Sequence, residues 1–404
     1  MRVLLSAFQC GPGRGSEPGN GWHWAISLAE YGHDVTVLTS PWDKDAIAAV
    51  NPPGIDFRFI DIPKSAVRQV SSRFGIYDIY RRWQESALRH AERNPRQWDV
   101  AHHVTWASVH LGSRLWELPV PFVYGPIGGG QTAPVHYWRQ FGRQLPMETF
   151  RTIFAGTLLT MNSRSRETLR NSTVTLVANS ATAASARRLG ARDIRPMMAD
   201  GLPAEWLARP RQRPEGVPVV LFVGRLLPHK APVIAVEAFA DLRRMMPARM
   251  VIAGEGPLAG PARAAAGRLG VAGDVQMLGH VSWDEMTRLY DTASVFLFTS
   301  LRETFGAPFL EAMGRGLPAV AVDLHGIAEV EAGPAAVKVP LTRRPRDLPG
   351  QLAVGMRTVL SDPQWEARSK AAVMWASERV WPERAAAATR LYEELVGSRA
   401  GRNR

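Results

Sequence analysis

Leu301-Arg302-Glu303-Thr304-Phe305-Gly306-Ala307-Pro308-Phe309-Leu310-Glu311, continued by Ala312-Met313-Gly314-Arg315-Gly316-Leu317-Pro318, decides how the rest of this chain is read. The apolar run Val295-Phe296-Leu297-Phe298 leads into it as a short strand, and a glycine-containing turn then opens a helix that packs Phe309, Leu310 and Met313. Glu303 and Glu311 therefore stand eight positions apart across a loop-to-helix junction. At 1.5 Å per residue, eight helical steps separate their backbones by about 12 Å. The paired carboxyls of a glycoside hydrolase need roughly 5 to 9.5 Å, so this spacing is too long for them. It suits one elongated ligand gripped at two points, with a helix N-terminus between them offering N–H groups and a positive dipole end to an anion.

The flanking segments point the same way. Val219-Val220-Leu221-Phe222-Val223 is a β-rich apolar run that delivers Gly224-Arg225-Leu226-Leu227-Pro228-His229-Lys230 at its end. There Arg225 and Lys230 can converge on a diphosphate, the guanidinium as a hydrogen-bonding fork and the ammonium as a mobile point charge. A second strand, Met250-Val251-Ile252-Ala253, ends in Gly254-Glu255-Gly256-Pro257, and Gly316-Leu317-Pro318-Ala319-Val320-Ala321 closes the series. A nucleotide diphosphate sugar has the elongated, anionic shape that this set would hold.

This ordered set resembles the family 4 retaining glycosyltransferases, also called glycosyl transferases group 1. The resemblance implies an α/β protein of the GT-B fold: two Rossmann-like domains facing each other across a cleft, with a C-terminal helix crossing back to the N-terminal domain. On that basis residues 1–206 with helix 383–404 form the acceptor-side domain, and residues 217–380 the nucleotide-sugar domain. The Pro-rich stretch 207–216 is the linker. The resemblance assigns Glu311 to the ribose hydroxyls and Glu303 to the hexose hydroxyls. It further implies a diphosphate bound by Gly224, Arg225, Lys230, Gly254 and the run Thr304, Phe305, Gly306 and Ala307. Three positions depart from the family pattern: Asp200-Gly201 where Asn-Gly is common, Ala231 where Gly is common, and Leu324-His325-Gly326-Ile327 where paired glycines are common.

The N-terminal half alternates strand and helix, which argues for a parallel sheet covered on both faces. Ligands of such sheets sit at the carboxyl ends of the strands. The first of those ends carries Cys10-Gly11-Pro12-Gly13-Arg14-Gly15-Ser16-Glu17-Pro18-Gly19-Asn20-Gly21, where Gly19, Asn20 and Gly21 open a helix toward the donor and Glu17 is a hydrogen-bonding partner for the acceptor. It is not a dinucleotide fingerprint, because Ser16 stands where the third glycine belongs. Val100-Ala101-His102-His103 ends another strand, and alternation points the two rings to opposite faces. Family members carry a histidine here that contacts the donor sugar; His103 is favoured for that place and His102 is the alternative. Gly128 and Gly129, in the triple glycine after Tyr124-Gly125-Pro126-Ile127, shape the acceptor side.

Bulk properties set the limits. A chain of 404 residues suits two domains. No apolar run approaches the roughly 18 residues that span a bilayer, Met1-Arg2-Val3-Leu4-Leu5 enters a strand rather than a signal peptide core, and a cytoplasmic protein is expected. The lone Cys10 excludes an internal disulfide framework and a Cys-based zinc site. No acidic metal-binding pair stands out, so a metal is not expected. The net charge of +12 comes mostly from arginines spread along helices, which argues against nucleic acid. The basic amphipathic segment 137–170 either covers the N-terminal sheet or touches an anionic membrane. The expected activity is transfer of a hexose from a nucleotide diphosphate sugar, UDP-sugar favoured over GDP-sugar, to a hydroxyl of a polysaccharide or lipid-linked glycan precursor or a small-molecule natural product. The alternatives are other GT-B chemistry, such as a nucleotide-sugar epimerase or phosphorylase, and a non-catalytic sugar-binding protein.

Overall fold

The computed structural model describes every residue except 62–74, 94–97, 147, 151–161 and 403–404. The chain divides into two compact units. Met1–Gly130, Gly156–Gly201 and Trp381–Arg404 make the first, and Gln131–Ala155 with Leu202–Val380 the second. The expected division at 206 is thus modified, because the segment 131–155 leaves the first unit to join the second. Part of the basic amphipathic segment, residues 151–161, lies outside the described residues.

The first unit holds strands β1 (Arg2–Ser6), β2 (Asp34–Thr39), β3 (Ile55–Phe59), β4 (Val100–His103), β5 (Phe122–Ile127), β6 (Val174–Val177) and β7 (Ile194–Pro196) in the order β3-β2-β1-β4-β5-β6-β7. Every pairing is parallel. Strand order reverses between β1 and β4, and the crevice outside that reversal is where an open α/β sheet binds its ligand. The central strands are nearly all apolar and buried, as a sheet covered on both faces requires. The last helix, Trp381–Arg402, belongs to this unit and packs its Trp381 edge-on to Trp24, ring centroids 5.7 Å apart.

The second unit repeats the plan with β8 (Val219–Val223), β9 (Arg249–Ala253), β10 (Val275–Gly279), β11 (Val295–Phe298), β12 (Ala319–Asp323) and β13 (Ala336–Pro340) in the order β10-β9-β8-β11-β12-β13, again all parallel. Its reversal lies between β8 and β11. The loops that leave those two strands are the Arg225–Lys230 turn and the Glu303 loop, so topology alone brings them side by side. Helix Pro232–Met245 starts with proline in its first turn, where a missing N–H costs nothing, and buries Ile234, Ala235, Ala238, Phe239 and Leu242 against the sheet. Each unit is a doubly wound, Rossmann-like parallel sheet, the kind of domain of which the GT-B fold requires two.

The stretch 207–216 is irregular, as its prolines require, but it is held to the second unit at Ala208, Arg211 and Arg213. Arg211 N–H donates to Ser369 Oγ at 2.9 Å, its guanidinium lies 5.6 Å from the Trp365 ring, and Arg213 donates to the Leu360 carbonyl at 2.6 Å.

Candidate active site

At the β8/β11 reversal three strand-end loops are laced together by their backbones. Gly224 N–H donates to the Ala253 carbonyl (3.0 Å), Leu226 N–H to Glu255 (2.8 Å) and Leu301 N–H to His229 (2.7 Å), while Thr299 Oγ1 donates to the Lys230 carbonyl at 2.7 Å. Two of the glycines are obligatory for this lacing. A Cβ on Gly254 would stand 2.0 Å from the Gly224 carbonyl oxygen, and one on Gly256 2.5 Å from that of Leu226. Both also hold positive φ, which side chains resist.

The lacing fixes the charged groups. Lys230, at the end of the single turn Pro228–Lys230, makes an ion pair with Glu303 and stands 5.7 Å from the Phe298 ring. Both side chains are about one-fifth exposed, so the pair is partly open to solvent. Arg225 is exposed and has no ion-pair partner among the described residues. Beyond Glu303, Gly306 turns the chain at φ +107°, where a Cβ would meet the Phe298 ring at 2.4 Å. Helix Ala307–Gly314 then begins with no side chain capping it. Phe305 is buried and stacks on Trp375 at 6.1 Å, which sets the direction in which this helix start points.

Glu311 lies one turn into that helix and accepts a 2.7 Å hydrogen bond from Tyr290 Oη. Burial and the neighbouring carboxylate hold the Tyr290 phenol well above its ordinary range, so it stays a donor. No sequence motif marks Tyr290; it reads as one more core aromatic of the amphipathic helix Trp283–Thr292. Arg302, next to Glu303, forms a buried ion pair with Glu148, whose other oxygen accepts from Ala133 N–H at 3.3 Å. That pair ties the 131–155 segment into the second unit beside the Glu303 loop.

Two of the departures from the family pattern acquire a physical meaning. Ala231 and His325 both adopt left-handed backbone, each at φ +52°, which a glycine enters freely and a side chain does not. The His325 loop rests against the Glu303 loop so closely that a Cβ on Gly326 would meet the Thr304 carbonyl at 2.1 Å. His325 Nε2 is buried without a hydrogen-bond partner, and burial lowers its pKa. In the third departure Asp200 accepts from Asn20 Nδ2 at 2.9 Å, and Gly201 lies flat under the Trp381 indole.

In the first unit, the loop after β1 folds back over the start of helix Ser16–Glu30. A Cβ on Gly19 would strike the Arg14 carbonyl at 2.1 Å and one on Gly21 the Gln9 carbonyl at 2.3 Å, so these glycines serve close packing within the loop. Glu17 accepts from Trp106 N–H at 2.7 Å, with Trp106 itself held at φ +56°. Burial pushes the Glu17 carboxyl up to about 7, against the Trp106 N–H that favours its charged form and with the help of nearby Asp200. Phe8, Tyr80 and Trp106 pack around this carboxyl's strand end, with ring centroids 5.2 to 5.5 Å apart, and exposed Trp42 and Tyr77 flank them. Gly128 continues β5 and exchanges backbone bonds with Ala107 and Val109, while Gly129, at φ +99°, gives its carbonyl to Thr182 Oγ1 at 2.9 Å.

His102 and His103 do point to opposite faces, but both faces are covered and both rings are fully buried. His103 accepts from Ser6 Oγ at Nδ1 (2.8 Å) and donates from Nε2 to Tyr80 Oη (3.0 Å), which in turn donates to the Gly112 carbonyl at 3.1 Å. His102 accepts from Tyr392 Oη (2.6 Å) and donates to the Gly125 carbonyl (2.7 Å). Burial drives their pKa values down to about 3 for His103 and about 4 for His102. With every ring nitrogen committed, neither can take a sugar hydroxyl without breaking this network.

Comparison with known proteins adds sequence likeness to geometry. Residues 205–369, within the second unit, match the Glycosyl transferases group 1 family. Over 325 residues the chain is 28% identical to a 2-deoxystreptamine glucosyltransferase of Streptomyces kanamyceticus, covering 75% of this chain and 80% of that one. Across the first curated relatives, the chain spans from 29% to 80% of their length. Among solved structures it is similar to sucrose-phosphate synthase of Thermosynechococcus elongatus, with TM-score 0.70, 18% identity and 98% and 99% of the two chains covered. It is also similar to Alr3699/HepE of Anabaena in complex with UDP, with TM-score 0.61, 16% identity and 96% and 99% covered.

Proposed function

We propose that this chain is a glycosyltransferase that moves a hexose-type sugar from a nucleoside diphosphate sugar, with uridine as the favoured nucleoside, to a hydroxyl acceptor with retention at the anomeric carbon. The observation that carries the reading is the Lys230–Glu303 pair at the β8/β11 reversal, with Arg225 exposed beside it and the Tyr290–Glu311 hydrogen bond across the intervening helix start. On donor binding, Lys230 exchanges Glu303 for phosphate oxygens and Arg225 adds its fork, neutralising the charge that grows on the departing diphosphate. Glu303, released, accepts from the hexose hydroxyls, and Glu311 accepts from the ribose hydroxyls. The bond from the anomeric carbon to the phosphate oxygen breaks as the acceptor oxygen bonds on the same face, and the departing phosphate oxygen takes the acceptor's proton. In the first unit, the helix start at Gly19, Asn20 and Gly21 serves the donor, and Glu17, Gly128 and Gly129 serve the acceptor.

The cations supply the charge stabilisation in this scheme, so no metal is required, and activity persists in excess chelator. The long match to a 2-deoxystreptamine glucosyltransferase supports a polyhydroxylated ring alcohol as acceptor. We place the reaction in the cytoplasm, with any membrane contact peripheral; among the described residues, no helix is long and apolar enough to cross a bilayer. The test is a panel of UDP- and GDP-sugars crossed with polyol acceptors, followed by chromatography of free nucleotide and mass spectrometry of product. Acceptor-dependent release of nucleoside diphosphate by the wild type and its loss in Lys230→Ala support the reading. Epimerised donor without transfer would overturn it.

A further inference from the structure

The second unit carries a strongly basic cavity that the donor scheme leaves unused. It holds about 440 Å³, within the range of small-molecule sites, and is walled by His136 and Arg139 on one side and by Arg343, Arg344 and Arg346 on the other, with Tyr137 buried beneath. The first wall is the helical segment Val135–Gln144, and the second is the loop that leaves β13. Tyr137 Oη donates to the Thr342 carbonyl at 3.2 Å and Thr342 Oγ1 to the Arg344 carbonyl at 2.6 Å, so the two walls are fastened in place before any ligand arrives.

Charge makes the cavity unusual. Among the described residues, the only carboxylate paired with any of these arginines is Asp347, 3.8 Å from Arg346. Where arginines elsewhere in the chain do meet carboxylates they do so closely, as in Arg114–Glu117, Arg195–Glu394 and Arg315–Asp291. Guanidiniums gathered around one hollow repel one another unless an anion enters, and their forks match phosphate oxygens in pairs. The site is also separate from the donor loops. β13 lies two strands from β11 and three from β8, which at about 4.8 Å per strand puts it roughly 10 to 15 Å along the same rim.

We propose that this cavity is a second anion subsite, built to hold a phosphate monoester or diphosphate on a molecule other than the donor nucleotide. Two sources offer that chemistry: a soluble phosphorylated substrate, and the headgroup of an anionic lipid. The full-length protein saturated with UDP, so that Arg225 and Lys230 are occupied, is titrated with inorganic pyrophosphate by calorimetry. It is also sedimented with phosphatidylcholine vesicles with and without phosphatidylglycerol. The comparison variant is Arg343→Gln/Arg344→Gln, both exposed positions, with its thermal midpoint and UDP affinity measured alongside. The proposal expects pyrophosphate binding that weakens at least tenfold in the double variant while UDP affinity stays within twofold. It further expects that binding to persist in Arg225→Gln. Binding to phosphatidylglycerol vesicles that the double variant loses, with little response to pyrophosphate, assigns the subsite to a headgroup. Wild type and double variant alike in both assays would overturn it.

Discussion

Lys230 and Glu303, 73 positions apart in the chain, neutralise each other at the carboxyl ends of the neighbouring strands β8 and β11. In the proposed scheme, the cation assigned to the diphosphate is kept in position by the carboxylate assigned to the sugar. The two variants of this pair should behave differently. Lys230→Ala removes the cation and leaves Glu303 unpaired, and kcat/KM should fall about 100- to 1000-fold, with weaker nucleotide affinity. Glu303→Gln should lower kcat while leaving nucleoside diphosphate affinity within about twofold, because Lys230 is then free for phosphate. Steady-state kinetics and calorimetry on both variants decide, and equal loss of nucleotide affinity would remove the division of roles.

Tyr290 orients Glu311 from within the core, and its phenol has no ionised form in the working range. Tyr290→Phe keeps the ring and deletes one buried hydrogen bond, so stability should drop by about 1 kcal/mol. Its larger effect should fall on the donor dissociation constant, in the direction of Glu311→Ala and smaller than it. Unchanged donor affinity in Tyr290→Phe would show that Glu311 needs no such support.

Glu17 has its folded pKa raised to about 7 from an ordinary 4.5. Its protonated form thus contributes stability that is full below about 4.5 and is lost as pH rises through 7. Glu17→Gln, which mimics the protonated form, should be more stable than wild type at pH 8 and no more stable at pH 4. Denaturant titrations at the two pH values test this. If Glu17 also accepts from the acceptor hydroxyl, a limb near pH 7 in the kcat/KM profile should vanish in the same variant.

For His102 and His103 the linkage has the opposite sign. Their folded pKa values, about 4 and about 3, lie below the ordinary 6.5, so the unfolded chain takes up protons that the folded one refuses. Stability is full above about 6.5 and should fall on acidification by roughly 1.4 kcal/mol per pH unit for each ring, down to the folded values. Replacing His103 by Gln should lessen that slope between pH 6 and pH 5, whatever it does to stability at pH 7.

Much of this was legible in the residues. The buried central strands announce themselves as continuous apolar runs such as Val219–Val223 and Val295–Phe298, and the strand-end glycines sit where backbones cross closely. The edge strands β7, β10 and β13 carry no such run, because each is half-exposed and mixes polar with apolar side chains. Alternation correctly sends His102 and His103 to opposite faces. What covers each face is supplied by Tyr392 and Tyr80, 290 and 23 positions away, and periodicity carries no information about that. Nor does it reveal that Glu148 belongs with Arg302, since a pairing 154 positions long leaves no local trace.

That last pairing bears on how the molecule can be cut. A gene fragment starting in the 207–216 stretch encodes all of the second sheet but omits Glu148, Tyr137 and the rest of 131–155. Arg302 would then be left inside without its counter-ion, a cost of about 3 to 5 kcal/mol for a buried pair broken on one side. Tyr137 would also be missing from the hydrophobic core that it shares with Val220, Phe222 and Leu226. The two units are thus not separable modules that a single splice could exchange between enzymes. A chimera that respects this protein has to carry the 131–155 excursion along with the sheet it serves.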